Sequence, residues 1–499
     1  MNLPNYAELH CLSNFSFLRG ASHADELVAR ALKLGYSALA ITDECSFAGS
    51  VRAHIAAKDQ PIKLIHGTEI KLTCGMKVIL LACNRAGYGN LSALITLGRR
   101  RAEKGAYQLT RNDLAGWDGG GVPDCLLLWV PPKVGAGETV TFTAIAAAIE
   151  ADASWVAAHF PHRAWVAFER HLEPDDVSRL EQLRNLAARF ALPLAAAGDV
   201  HMHARSRRPL QDVLTALRHT TTLQAAGHLL FANGERHLRS RLALARLYPP
   251  ELLTETLRIA ARCEFSFDEL RYEYPDEVVP AGQTPISWLT QLTGEGLVQR
   301  YPQGVSAKVR AQIEHELRLI DELDFAPYFL TVHEIVAWAR GQGILCQGRG
   351  SAANSAVCFA LGMTEVDPAR ASMLFERFVS RERNEPPDID VDFEHQRREE
   401  VIQHIYQKYG RERAALAASV TTYRTRSALR DAGRALGFER TAIDRLAGNL
   451  AWWDKREQLA ARFAEVGLDA ENTAVKRWLA VAQRLIGFPA ICPSMSAVS

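Results

Sequence analysis

The chain has 499 residues, of which 48% are hydrophobic and 23% charged, with a formal net charge of +1. That is the balance of a globular protein with apolar content for several cores and length for about three domains, and it excludes a disordered or polyionic chain. The nine cysteines form no C-x-x-C pair, which excludes a zinc knuckle or disulfide framework, and no stretch approaches a membrane span. The start, Met1-Asn2-Leu3-Pro4-Asn5, lacks a basic region followed by an apolar one. The expectation is a soluble, reduced, cytoplasmic protein with no membrane partner.

In chain order, Ser22 to Asp25 reads as a capping box before apolar Leu27, Val28, Ala31 and Leu32, with Gly35 as the stop. Ser37 to Thr42 is a short buried strand ending at Asp43. Further strands are expected around Lys63 to Ile65, Lys77 to Ala82 and Leu192 to Ala197, with a helix through Ser92, Leu94, Ile95 and Leu97. Polar residues collect where these strands end, the active face of α/β barrels. Residues 206–270 read as mostly helical, and Tyr272-Glu273-Tyr274-Pro275 marks a boundary.

Beyond it, helices are expected through Leu317, Ile320 and Leu323 and around Ile335 to Ala339. Strand-like Gly343-Ile344-Leu345-Cys346 runs into Gly348-Arg349-Gly350-Ser351-Ala352-Ala353-Asn354-Ser355. Glycines between strand and helix let backbone N–H groups approach an anion, and the helix N-terminus favours phosphate; the alternative is tight helix packing. In Pro387-Asp388-Ile389-Asp390-Val391-Asp392-Phe393 three aspartates alternate with apolar residues, so as a strand their carboxylates share one face. Their repulsion is relieved by a divalent cation, and hard oxygen ligands suit Mg²⁺. Arg426, Arg430 and Arg434, with Arg424 adjacent, repeat at helical spacing; that row is either a nucleic-acid-facing surface or a solvated helix face. Trp452-Trp453 and Leu459 to Phe463 suggest further helices.

Two sets of motifs resemble known families. Ala7-Glu8-Leu9-His10-Cys11-Leu12-Ser13, Ile41-Thr42-Asp43-Glu44, Gly67-Thr68-Glu69 and Gly198-Asp199-Val200-His201 are similar to the motifs of PHP domains, which are distorted (β/α)7 barrels with a multi-metal cage. Position by position, the resemblance implies His10, Asp43, Glu69, His171, Asp199 and His201 as cage ligands. The cage is eroded: the family's H-x-H is His10-Cys11-Leu12, its T-D-H is Thr42-Asp43-Glu44, and Arg19 stands where an aspartate is usual. Losing imidazoles and adding a guanidinium opposes cation binding, so a structural barrel is expected, with a phosphoesterase or proofreading nuclease as the alternative.

The order G-R-G-S, Leu374-Phe375-Glu376-Arg377-Phe378, P-D-x-D-V-D-F resembles the palm of bacterial C-family DNA polymerases, the DNA polymerase III alpha subunits, most like the error-prone branch. That resemblance implies an α/β multidomain protein. A PHP-type barrel (1–205) with a helical extension (206–270) would precede an α+β nucleotidyltransferase-like palm (271–420) and a helical thumb-like segment (421–487). It implies Asp390 and Asp392 as carboxylates bridging two Mg²⁺ ions. Gly348, Arg349, Gly350, Ser351 and Arg377 would meet the triphosphate, and Arg424, Arg426, Arg430 and Arg434 would bind DNA. Primer–template DNA and dNTP would be its partners, with a sliding clamp and mutagenesis accessory proteins. Asp388 is not the family's ligand, which leaves it a structural role or one supporting the metal ligands. Residues 488–499 depart from the family and read as an aberrant, frameshifted tail of a truncated error-prone DNA-directed DNA polymerase. The competing functions are a PHP phosphoesterase and a non-catalytic DNA-binding fragment.

Overall fold

The computed structural model describes residues 3–117, 120–133, 142–271, 273, 275, 278–367, 370, 375, 378–379, 387–417, 419–449, 469 and 471–490. They form two units, Met1–Leu270 with Ser419–Ser499, and Arg271–Ala418.

The first unit is built on seven strands: β1 (Ala7–Glu8), β2 (Ala38–Ile41), β3 (Lys63–Lys71), β4 (Lys77–Ala82), β5 (Cys125–Val130), β6 (Ala164–Glu169) and β7 (Leu194–Ala197), ordered in space as in sequence. All neighbours pair in parallel except β4, which is antiparallel to β3 and β5. A parallel bridge between Cys11 and Val200 joins the two ends of the sheet; Val200 N–H donates to the His10 carbonyl at 2.9 Å and Leu12 N–H to the Val200 carbonyl at 2.8 Å. The expected distorted (β/α)7 barrel is therefore present and nearly closed.

Strand side chains alternate between two faces. Ala7, Leu9, Ala38, Ala40, Ile79, Leu81, Leu126, Leu128, Trp165, Ala167, Ala195 and Ala197 form the barrel interior, plugged by Ile259, Ala260 and Cys263 at the end of helix Pro250–Arg262. The alternate set, including Leu39, Ile41, Val78, Leu80, Trp129 and Phe168, packs under the outer helices. Gly35 ends the first of these, Ala24–Leu34, at φ 70°, as expected. Its start lies one residue later than the capping box predicts, because His23 rather than Ser22 is the N-cap.

Residues 419–449 and 471–490 join this unit through a third core. Helices Thr425–Ala435 and Thr473–Leu485 bury Leu429, Ala432, Val481 and Leu485 against Leu210, Val213 and Leu214 of helix Arg208–Arg218. The segment read as thumb-like thus packs on the barrel unit. Trp478, fully buried, stacks on Phe438 with ring centroids 4.4 Å apart and donates its indole N–H to the Leu429 carbonyl at 2.8 Å. Phe488 to Ala490, placed by sequence in the aberrant tail, are held here: Phe488 is buried, Tyr423 N–H donates to its carbonyl, and Ala490 N–H donates to the Thr421 carbonyl. Residues 491–499, Trp452-Trp453 and Leu459 to Phe463 lie outside the described residues.

The second unit packs helices Pro285–Arg300, Ala307–Glu322, Ala326–Gly341 and Ala356–Ala360 around Leu289, Ile313, Ile320, Phe329, Val357 and Phe378. Two short antiparallel strands, β8 (Cys346–Arg349) and β9 (Asp390–Phe393), complete it. β8 begins at the residue where sequence predicted the strand to end. Its pairing with β9 decides this, since only Cys346 to Arg349 find partners there.

Trp478→Ala should cost about 3–5 kcal/mol. Urea unfolding followed by circular dichroism should show an earlier first transition; an unshifted curve would contradict this packing.

Candidate functional sites

At the barrel's rim the inward alternation continues but changes character. Ile65-Gly67 of β3 leads to Glu69, Trp165-Ala167 of β6 to Glu169, and Ala195-Ala197 of β7 to Asp199. β4 runs the other way, so its first residue, Lys77, reaches the same rim. The alternation that fills the barrel thus sets a ring of charge on top of it.

His10 lies fully buried between two of these carboxylates, its Nδ1 2.8 Å from Glu169 and its Nε2 2.8 Å from Glu69. Arg19 places Nη1 2.5 Å from both Glu69 and Glu44. Lys77 Nζ lies 3.1 Å from Glu69 and 3.5 Å from Asp199, and Arg236 is ion-paired with Asp199. Burial alone would push the Glu69 carboxyl up, but Arg19, then Lys77 and His10, outweigh it and hold it well below the usual range. Burial is likewise overcome at Glu169, by Lys77 and His10. His201 sits 3.2 Å from Asp199, and burial, then Arg19, bring it down to about 3. His171 donates Nε2–H to the Gly198 carbonyl at 3.1 Å and is also held at about 3 by burial and Arg236.

Of the implied cage, His10, Glu69, Asp199 and His201 come together. Asp43 does not join them. Its carboxylate accepts from Ser13 N–H at 2.8 Å, Ser13 Oγ at 2.6 Å and Ser16 Oγ at 2.7 Å, and so staples the loop after β1. Glu169, Lys77 and Arg236 were not singled out by sequence. The alternation on β4 and β6 could have found the first two, whereas Arg236 lies in irregular chain with no pattern. His10, Glu169 and Asp199 offer ligand atoms within 4.8 Å of one another, so the donor set could hold a cation. A metal there would have to displace three tethered cations, so the set fits a metal poorly. The cavity above, about 480 Å³, is lined by Glu69, Lys77, Glu169, Asp199, His201 and Arg236 with Lys71, Lys133, Arg179 and Gln211.

In the second unit, the β8–β9 register sets Arg349 opposite Asp390 and Gln347 opposite Asp392. Arg349 Nε lies 2.9 Å from Asp392 Oδ2 and Nη1 3.7 Å from Asp390 Oδ2; the three side chains are 61%, 66% and 45% exposed. Asp388 precedes the strand, and its carbonyl accepts from Ser351 Oγ at 3.0 Å, tying the glycine loop to the aspartate run. Ile389 N–H donates to the Tyr328 hydroxyl at 3.2 Å, a support sequence did not reveal. Gly350 adopts φ 68°, which favours glycine, whereas a side chain at buried Gly348 would collide with the Met363 carbonyl.

The helix after this loop, Ala356–Ala360, is not an open phosphate site. Glu316, fully buried, accepts from Ala356 N–H (2.9 Å), Val357 N–H (3.0 Å), Ser355 Oγ (2.8 Å) and Gln312 Nε2 (2.9 Å). Burial raises its carboxyl, and these donors offset that only in part. The helix N–H groups expected to favour phosphate already hold a carboxylate. Arg377 lies outside the described residues. Arg424, Arg426 and Arg434 are exposed and Arg430 half-buried on helix Thr425–Ala435 and its cap, opposite the face that buries Ala428, Leu429 and Ala432. Among the described residues, no helix is long and apolar enough to cross a membrane.

A model of the bacterial DNA polymerase III alpha NTPase domain matches residues 287–492, and a PHP domain model matches 8–117. An error-prone DNA polymerase from Dechloromonas aromatica is 64% identical over 490 residues, which are 98% of this chain and 46% of that protein. One from Azoarcus sp. strain BH72 is 58% identical over 515 residues, 98% of this chain and 47% of that protein. The chain spans about half the length of the curated relatives it matches. Among solved structures, an amidohydrolase from Chromobacterium violaceum shares 17% identity over 39% of this chain and 87% of its own, with a TM-score of 0.29.

The charge cluster fixes a pH dependence. His171 and His201 have folded values near 3, below the ordinary 6.5, so the unfolded chain binds more protons between those limits. Stability should fall as pH drops from about 6.5 toward 3, and more steeply below about 4.5, where Glu69 and Glu169 lose their contribution. A His171→Gln/His201→Gln variant should flatten the upper part of that slope in urea titrations at stepped pH. Arg19→Ala, which removes the buried cation between Glu44 and Glu69, should cost about 3–5 kcal/mol.

Proposed function

We propose that this chain, which belongs to the bacterial DNA polymerase III alpha family, carries part of the nucleotidyl-transfer site of an error-prone DNA-directed DNA polymerase, with its barrel serving as a structural domain. The observation that carries the reading is the pairing of β8 with β9. It brings the Gly348–Ser351 loop alongside Asp390 and Asp392, two exposed carboxylates separated by Val391.

That donor set fits divalent cations. Two carboxylates on one strand face are hard oxygen ligands, and a single arginine offsets only one of their two charges. Mg²⁺ is the ion proposed; when bound it would supply charge stabilisation for phosphoryl transfer. The chain's own part is to hold Asp390 and Asp392 at a fixed register, to anchor the run through Tyr328 and Ser351, and to set Gly350 and Ser351 beside it for the triphosphate. With the helix N-terminus closed by Glu316, the phosphates would rest on the loop and its arginine, and Arg377 remains a proposed partner. Arg424, Arg426, Arg430 and Arg434 are proposed to meet the DNA backbone, where cations release condensed counter-ions.

The remaining assignments belong to this reading alone. Primer–template DNA and dNTP would be the substrates, a sliding clamp and mutagenesis accessory proteins the partners, the cytoplasm the location, and translesion synthesis during DNA repair the setting. The phosphoesterase alternative is disfavoured by Arg19, Lys77 and Arg236 on the barrel's carboxylates.

A primer-extension assay with Mg²⁺ tests the proposal on the chain itself and on the chain extended to the length of its relatives. Extension by either that falls at least a hundredfold in Asp390→Ala, as expected when a charge-stabilising group is removed, would support it. Extension unaffected by that change, or phosphate release dependent on His201 instead, would overturn it.

A further inference from the structure

We infer that Arg349 is an exchangeable counter-ion, neutralising Asp390 and Asp392 while no divalent cation is bound and turning to a nucleotide's phosphates once one is. The inference rests on the polymerase reading and adds a coupling between its two ligands.

Four observations carry it. First, the register fixes Arg349 directly across from Asp390, and its guanidinium lies on the carboxylate oxygens a cation would need, 2.9 Å from Asp392 and 3.7 Å from Asp390. Guanidinium and cation therefore compete for the same atoms. Second, Arg349 is 61% exposed, so an exposed ion pair rather than packing keeps it there, and such a pair is weak enough to exchange. Third, it stands between Gly348 and Gly350, within the loop expected to receive phosphates, so the released guanidinium would have an anion within reach. Fourth, the next helix N-terminus is closed by Glu316, which leaves a side-chain cation to meet the phosphate charge.

The consequence is a sign change. Without nucleotide, Arg349 opposes cation binding; with nucleotide, the cation frees Arg349 to hold the phosphates, and each ligand favours the other. The test is a Mn²⁺ titration read by electron paramagnetic resonance, with the Asp390-dependent site defined as the binding lost in Asp390→Asn. Without nucleotide, Arg349→Ala should bind Mn²⁺ at that site roughly two- to fivefold more tightly, the loss of one exposed ion pair. The same variant should bind dATP more weakly in the presence of Mn²⁺, with Arg349→Lys between the two. Unchanged or weaker Mn²⁺ binding by Arg349→Ala at an Asp390-dependent site overturns the counter-ion role and leaves the polymerase reading intact. If Asp390→Asn removes no Mn²⁺ binding, that reading falls, and this inference with it.

Discussion

A buried carboxylate must find a cation or give up its charge, and the first unit is arranged around that requirement at Glu69. Arg19, Lys77 and His10 converge on this one side chain: Arg19 from the far part of the loop after β1, Lys77 from the start of β4, and His10 from just past the end of β1. Asp199 and Glu169 extend the network to Arg236, so groups from residue 10 to residue 236 are locked by shared electrostatics. Removing one member strands its partners, because desolvation has already been suffered by all of them. The apolar barrel beneath provides the volume, and the charge ring fixes how its strands and loops end.

The aspartate pair of the second unit poses the same problem in a different solvent. Asp390 and Asp392 stay half in water, where screening lowers their repulsion and a single exposed arginine suffices. One site is thus committed and the other available, a difference of burial more than of residue type. Glu316 shows the committed case again: a carboxylate sealed against a helix end, holding the loop's far side in place.

The barrel was legible through its motif set, and four of its seven strands, β2, β3, β4 and β7, also showed as short apolar runs, whereas β1, β5 and β6 were not expected from the residues. The contacts of Asp43 were not legible, for the converse reason. A strand-terminal aspartate looks alike whether it faces a rim or a pair of serines, and only Ser13 and Ser16 folding back decide between them. Glu316 was readable in principle. It falls in the buried stripe of Val309, Ile313, Leu319 and Ile320, where a charge demands a partner. Arg236 and Tyr328 were not, since their contacts join positions far apart in sequence. The closed helix end after the glycine loop was hidden likewise, because its occupant lies forty residues upstream.

β4's reversal has a kinetic meaning. β3 and β4 are joined by Leu72 to Met76 alone, with Leu72 N–H donating to the Met76 carbonyl at 2.8 Å. The parallel neighbours are joined by longer connections that carry the outer helices, and each must close a longer loop before its hydrogen bonds form. The β3–β4 hairpin is therefore the cheapest long contact in the sheet to assemble, on the microsecond scale typical of hairpins. It also carries both Glu69 and Lys77, so the earliest pairing in the barrel would bring the first opposite charges of its rim together.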